Sequence, residues 1–480
     1  MDMKRFAGWI CAMAAALFIS CGDDDVTGSL AFDQSAVFFA EEDTAPVTVH
    51  FTASNLNTYS ISSKPTGWDN VAVDAASQTV TVTPPSSFDN GEAKTGSVIL
   101  SGTGGGGATG SATLFVGVVN RKDFSTETPA NSYVANTKET NYLLDVGRRS
   151  DGTSLATASV GVIWQSTSSL IQYLTLQNGK ASFYIGANSD DSDKIKSGNA
   201  LIGAYDAAGT LLWSWHIWVT DYDPAKAENQ RLFNGYTMMD RNLGAWGSGN
   251  ESIDEIFASY GLYYQWGRKD PFIGPSTYYF GSGSAATMYN GNNSSVTATP
   301  VASDAGTGTL EYARLNPLTF ITGVEESAYD WLWSGHSDNL WTAPGTTKSL
   351  YDPCPAGWRV APAAAFVGLT PEAESLEWAN TKYSVTLAKE GVSSLFMGAG
   401  RRTYHDGKFQ NLYFTDAQPK STRADEAQPW IGLYWTAGVQ TDDPQLATAV
   451  YFHYGDTNPV DADYGLRRAG GLPVRCVKDE

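Results

Sequence analysis

Positive charge is scarce in this chain. Lysine and arginine together number 31 against 51 aspartates and glutamates, giving a formal net charge of −20 over 480 residues. No lysine- or arginine-rich run interrupts that balance, so nothing supplies the counter-charge a phosphate backbone needs, and nucleic acid is not an expected partner. The acidic excess reads as solubility. Charged residues of both signs make up only 17%, too few for a disordered chain. Aromatic residues at 12% and 48 glycines argue for compact, β-rich structure. The apolar stretch Phe6–Ile19 holds 14 residues, short of the roughly 20 a membrane-spanning helix needs. No repeat at a period of about 20 to 50 residues is visible, which argues against a solenoid or propeller. Cysteine is rarest of all, with four. There is no C-x-x-C pair, and no histidine sits at ligand spacing beside Cys354 or Cys476, so no metal site is expected.

What is present begins with an export signal. Lys4 and Arg5 precede the apolar stretch, and "FISCG" follows, with small residues Ser20 and Gly22 around Cys21; this is signal-peptide anatomy. The segment resembles a bacterial lipoprotein signal, with Phe18 and Ile19 where that pattern usually holds leucine. The resemblance implies cleavage after residue 20, lipidation of Cys21, and an acidic tether over residues 21–29. "GDDD" resembles the signal that sends lipoproteins of some Gram-negative gut bacteria to the outer face. The expected location is the outer membrane, held by a lipid anchor alone and facing the exterior.

Residues 30–120 read as strands. "PVTVHFTAS", "TVTVTPP" and "GSVILSGT" alternate with period two, separated by turn sequences such as "SKPTGWDN" and "GTGGGG". Short alternating strands at this spacing predict an immunoglobulin-like β-sandwich, and Trp68 after a Pro-Thr-Gly turn resembles the BACON-type module. Residues 121–233 predict a second immunoglobulin-like β domain. In its strand "LLWSWHIWV", Ser214, His216 and Trp218 share one face with Leu212, while Trp213, Trp215, Ile217 and Val219 share the other. His216 among tryptophans is expected to be a hydrogen-bonded core residue. Residues 234–480 differ, with long glycine- and asparagine-rich loops and two predicted helices. The first is "NESIDEIFASYG", capped by Ser252 and ended by Gly261; the second is "PAAAFVGL", starting at Pro362.

With Cys11 in the signal and Cys21 lipidated, Cys354 and Cys476 remain, 122 positions apart. In an exported protein one disulfide is the simplest outcome, and closing so long a loop is worth roughly 4 to 5 kcal/mol in the chain-entropy model. Among polar candidates, "YHDGKF" with His405 and Asp406 reads as a hairpin tip, and His453 alternates on a strand as a solvent-facing residue. The loop "DWLWSGHSDNLW" gathers Trp331, Trp333, His336, Asp338, Asn339 and Trp341. Aromatic faces with amides and carboxylates are what a sugar site requires, since the apolar sugar face stacks while its hydroxyls need polar partners. These six are the expected ligand-binding residues. No catalytic residue and no cofactor is expected.

"SLYDPCPAGWRVAP", "MGAGRR", "GLYWTAG", "LATAVYF" and "GLPVRCVKD", with "MMDRNLGAWG" and "GLYYQWGRKDPF" upstream, resemble the major paralogous (FISUMP) family of bacterial surface proteins. The resemblance covers residues 234–480 and implies an α+β fold similar to C-type lectins and formylglycine-generating enzymes, with Cys354 and Cys476 as its structural pair. The calcium-and-sugar motifs of true C-type lectins are missing; "QPWIGL" at Gln428 to Leu433 is expected to pack. The whole reads as a mainly β, multidomain lipoprotein: two immunoglobulin-like domains carrying a lectin-like domain that binds a glycan, a host protein or a pilus protein without chemistry. A glycan-capturing subunit of a polysaccharide-uptake system is the first alternative. An enzyme of the formylglycine-generating or glycosidase type is the second.

Overall fold

The computed structural model describes residues 27–279, 282–341, 348–375, 383–412, 431–453 and 457–479. The signal segment, most of the tether, Cys21 and the first residues of "QPWIGL" lie outside them. No helix among the described residues is long and apolar enough to cross a membrane. The chain is mainly β and divides into two compact units, Met1–Lys122 and Asp123–Glu480.

In the first unit, alternation builds a sandwich. Ser29–Phe32, Val47–Ser54, Thr79–Val82 and Val71–Asp74 form one sheet in that order. Ala36–Phe39, Thr109–Val118, Thr95–Thr103 and Thr58–Ser63 form the other. Along Val47–Ser54, Val49 and Phe51 turn inward while Thr48, His50 and Thr52 face out. Trp68 is fully buried among Phe39, Val80, Leu100 and Leu114, and its indole N–H donates to the Ala93 carbonyl at 2.8 Å, so the ring is buried without an unpaired donor.

The second unit is organised around Leu211–Val219. This strand lies between Ser132–Ala135, which it meets in parallel, and Gly198–Tyr205, which it meets antiparallel. Every residue of it except Leu212 is buried. Trp213, Trp215, Ile217 and Val219 enter a core with Phe124, Tyr142, Leu144 and Phe183, against a facing sheet that includes Gln172–Gln177, Lys180–Ile185 and Thr140–Asp145. The opposite face turns toward the C-terminal part of the chain, where Trp218 joins Trp266, Trp331, Trp341, Trp358 and Trp435 in a second core. The sheet continues through Ser159–Gln165 to Met288–Tyr289 and Ser295–Val296, strands from beyond residue 234. The boundary expected between residues 233 and 234 therefore falls inside one compact unit, because both faces of one sheet are needed to bury its apolar residues.

Beyond that shared core come several small sheets. Gln230–Phe233, Tyr236–Met239, Cys476–Lys478 and Trp358–Val360 make one; Ile431–Val439, Leu446–His453 and Asp461–Arg467 make another. The first predicted helix forms at Ile253–Tyr260, with the Ser252 side chain accepting the Glu255 N–H and Gly261 at φ 75° ending it. The second is a correction: Ala363–Phe366 is a single 3-10 turn with Pro362 as the residue before it, and Ala365 and Phe366 are drawn into the core. A helix not foreseen, Leu310–Leu315, starts at Thr309, whose hydroxyl accepts the Tyr312 N–H, and stops at Asn316 before Pro317.

Cys354 and Cys476 are bonded, with Cα atoms 6.1 Å apart, and both are fully buried. The bridge fixes the strand Cys476–Lys478 to Trp358–Val360 beside it. Native oxidised protein should show no thiol reactive at either position. The double variant Cys354→Ser/Cys476→Ser should lose up to about 4 kcal/mol of stability, read as a lower denaturant midpoint. An unchanged midpoint would show that strand pairing alone holds the C-terminal segment.

Candidate functional site

The loop chosen from sequence divides sharply on folding. Trp331 and Trp341 are 1% and 3% exposed. The Trp331 indole donates to the Trp266 carbonyl at 2.7 Å, and the Trp341 indole to the Tyr351 carbonyl at 3.0 Å. Both rings are core residues that present no face to solvent, which corrects their assignment as ligand contacts. Trp333 is half-buried, its backbone N–H held by the Gly308 carbonyl at 2.9 Å. A β-carbon on Gly308 would come 2.6 Å from that nitrogen, so only glycine admits the approach. Asn339 is exposed. The polar members are bound into a structural cluster. His336 Nδ1 lies 2.6 Å from the buried Asp330 carboxylate, whose other oxygen accepts the Leu332 N–H. Asp338 accepts from the buried Arg468 guanidinium at 2.7 Å, which also bonds the Pro444 carbonyl and lies 4.9 Å from the Trp266 ring. Of these six residues, the two buried tryptophans are closed to a ligand, while Trp333 and His336 are half-buried and Asp338 and Asn339 exposed.

His216 is a core histidine, as its setting on the strand implied. Its ring lies 2.9 Å from Ser132 Oγ and 2.8 Å from Asn199 Oδ1, and complete burial pushes its pKa down to about 3. Two residues earlier, Ser214 Oγ donates to Asp270 at 2.6 Å, and the buried Lys269 ammonium bonds both. Burial pushes the Lys269 pKa down although Asp270 opposes the shift. Beside this pair lies a hollow of about 10 Å³ lined by Arg268, Lys269, Asp270, Arg314, Trp331 and others, room for about one water. His405 and Asp406 sit at a hairpin tip between Arg401–Arg402 and Phe409–Gln410, where Asp406 accepts the Lys408 N–H at 3.0 Å. No group of three histidine, cysteine or acidic side chains among the described residues is placed to hold a metal.

A surface cavity does form elsewhere. It measures about 180 Å³ and is lined by Pro371, Tyr451, Phe452, Asn458, Pro459, Asp461 and Tyr464. The strands Leu446–His453 and Asp461–Arg467 build it. Tyr451 pairs with Asp461 and Ala449 with Tyr464, so the edge strand carries an extra residue that brings Asp461 and Tyr464 onto one face. The Tyr451 and Tyr464 rings stack at 4.8 Å and 22°, and the His453 ring lies 5.7 Å from Tyr451. Tyr464 is 38% exposed, among the few large apolar side chains left open to solvent. One Asp461 oxygen accepts the Asp463 N–H at 3.0 Å. The wall is fixed from behind: Val460 N–H bonds the Leu369 carbonyl at 2.8 Å. Phe452 lies across Gly432, where any β-carbon would fall 2.0 Å from its ring. The arrangement offers an aromatic face beside an amide and a carboxylate. Sequence reading passed over it; the signal available was the alternation of Tyr451 and His453 before an Asn-Pro turn.

No family model matches the chain, and no curated protein matches it. Among solved structures it is similar to the extracellular domain of protocadherin GammaB4, at 15% identity and a TM-score of 0.16, over 40% of this chain and 34% of that one. It is similar to Drosophila N-cadherin EC1-4 at 14% identity and a TM-score of 0.17, over 40% and 49%. The D00-D0 domain of Intimin matches at 11% identity and a TM-score of 0.15, over 40% and 96%. The matches span about a third of the protocadherin structure and half of the N-cadherin one. Likenesses this distant carry no argument about function.

Two outcomes check the core assignments. Trp331→Ala and Trp341→Ala should each destabilise by about 3–5 kcal/mol, the cost of emptying a buried aromatic site, with Trp333→Ala costing far less in the same urea titration. His216 ionises near pH 6.5 when unfolded and only near pH 3 when folded. Below pH 6.5 the unfolded chain binds the extra proton, so stability is full above that pH and falls on acidification. The loss attributable to this group should reach about 2 kcal/mol at pH 5. A His216→Gln variant, weaker at neutral pH, should lack that component; equal acid slopes for both proteins would refute the assignment.

Proposed function

We propose that this chain is a non-enzymatic surface lipoprotein that binds a glycan through its C-terminal region, at the cavity walled by Tyr451 and Tyr464. The lipid anchor at Cys21 and the resemblance to the major paralogous family supply the setting. The observation that carries the reading is the cavity itself. A sugar ring has an apolar face that stacks on an aromatic ring, and a rim of hydroxyls that need hydrogen-bond partners once desolvated. Tyr464 supplies the first, and Asn458 and Asp461 the second. Trp331 and Trp341, which drew attention in the sequence, do neither, since the core has consumed their faces and their N–H groups.

The test uses residues 26–480 on an array of plant polysaccharides, mucin-type glycans and host matrix proteins, with calcium and with chelator. One glycan class should bind, and Tyr464→Ala should weaken it tenfold or more with only a small fall in the denaturant midpoint, because this ring is 38% exposed on an edge strand and is not part of the closed core. Trp333→Ala should leave binding within about twofold, since a residue away from the site contributes little. Binding that survives Tyr464→Ala, or binding to matrix proteins alone, would overturn the reading.

A further inference from the structure

Among the described residues that line the Tyr451–Tyr464 cavity, Asp461 is the single formally charged one, and no lysine or arginine is among them. The register places its carboxylate on the same strand face as the Tyr464 ring, three residues along, with Tyr451 directly opposite Asp461. Its backbone partner, the Asp463 N–H, occupies one oxygen. The face of a tyrosine ring is electron-rich and attracts a cation brought within about 6 Å of its centre. A stacked tyrosine pair beside a carboxylate therefore repels an anion and gives a cation two favourable partners. The surrounding chain, at net −20, adds the same sign of field.

Resting on the glycan reading above, we infer that the cavity selects an amino sugar with a free, protonated amine over neutral, N-acetylated or acidic sugars. The ring of such a sugar stacks on Tyr464, and its ammonium group lies against Asp461. Neither Asn458 nor the prolines of the wall can substitute for that carboxylate, since none carries charge. N-acetylation removes the cation and adds bulk, so it weakens binding on both counts. Sulfated or uronic sugars bring a like charge to Asp461 and are rejected.

Titration calorimetry with chitosan hexamer, chitin hexamer and cellohexaose, at low and high salt, tests this on the full secreted chain. Chitosan hexamer should bind about tenfold more tightly than the other two, the size a cation–aromatic contact and a partly exposed ion pair give together. Asp461→Asn should remove the preference and its salt dependence, while Tyr464→Ala should weaken all three. Equal binding of the three sugars that still depends on Tyr464 overturns this inference and leaves the glycan reading standing. An amine preference that Asp461→Asn leaves intact also overturns it, since the attraction would then belong to the acidic chain at large. If no sugar binds, or Tyr464→Ala changes nothing, both conclusions fall.

Discussion

One strand, Leu211–Val219, has both of its faces buried, and the second unit of the structure is arranged around that constraint. Three tryptophans and a histidine in nine residues cannot be hidden by a single facing sheet. Trp213, Trp215 and Ile217 fill the interior of a sandwich, and the other face must be covered by something else. The C-terminal half covers it: Trp218 donates its indole N–H to the Ala245 carbonyl, and Asn199, which holds His216, bonds the Gly244 carbonyl. A buried polar group without a partner costs about as much as a lost hydrogen bond. Ser214, His216 and Asn199 therefore fix the orientation of the two halves, where an apolar face alone would only hold them together. That is why residues 123–480 form one body.

The same logic runs through the rest of the C-terminal region in the form of buried arginines. Arg402 lies 4.6–5.3 Å from the rings of Phe272, Phe320 and Phe409. Arg475 sits 3.9 Å above Phe396 and bonds Asn242 with two nitrogens. Arg268 spans Phe272 and Trp331 and donates to the Thr319 carbonyl at 2.7 Å. A guanidinium is planar, so it packs like a ring against rings while its edges satisfy loop carbonyls that no regular strand reaches. A region made of short strands and long loops has many such carbonyls. Burial pushes Arg268 and Arg402 down to about 10, still far above neutrality, so the charges that organise these loops persist.

Legibility followed periodicity. The sandwich of the first unit, the two faces of Leu211–Val219 and the helix capped by Ser252 all announce themselves through period-two or period-3.6 patterns with matching end signals. The disulfide was legible because exclusion left two thiols. What failed to be legible depends on partners distant in sequence. Trp331 and Trp333 look alike in "DWLWSG", yet one reaches the Trp266 carbonyl and is lost to the core while the other stays half open. The 3-10 turn at Ala363–Phe366 has helix-forming residues, and the pull of Ala365 and Phe366 into a core shared with Tyr434 and Phe452 outweighs that propensity.

The location of the cavity follows from what the core demands. Tryptophan offers the largest apolar area of any side chain, and this chain spends seven of its fifteen in one continuous cluster that joins the two halves of the second unit. Aromatic surface open to ligand must then come from residues the core does not reach. Asp461–Arg467 is the outer strand of its sheet, and the extra residue between Asp461 and Tyr464 turns a tyrosine outward that strict pleating would have placed elsewhere. Edge strands are hazards for aggregation unless blunted, and an irregular register with acidic side chains at Asp461 and Asp463 blunts this one. The feature that keeps the edge from pairing with another chain is the one that assembles a carboxylate beside a stacked aromatic pair, so protection of the edge and construction of the cavity are a single piece of geometry.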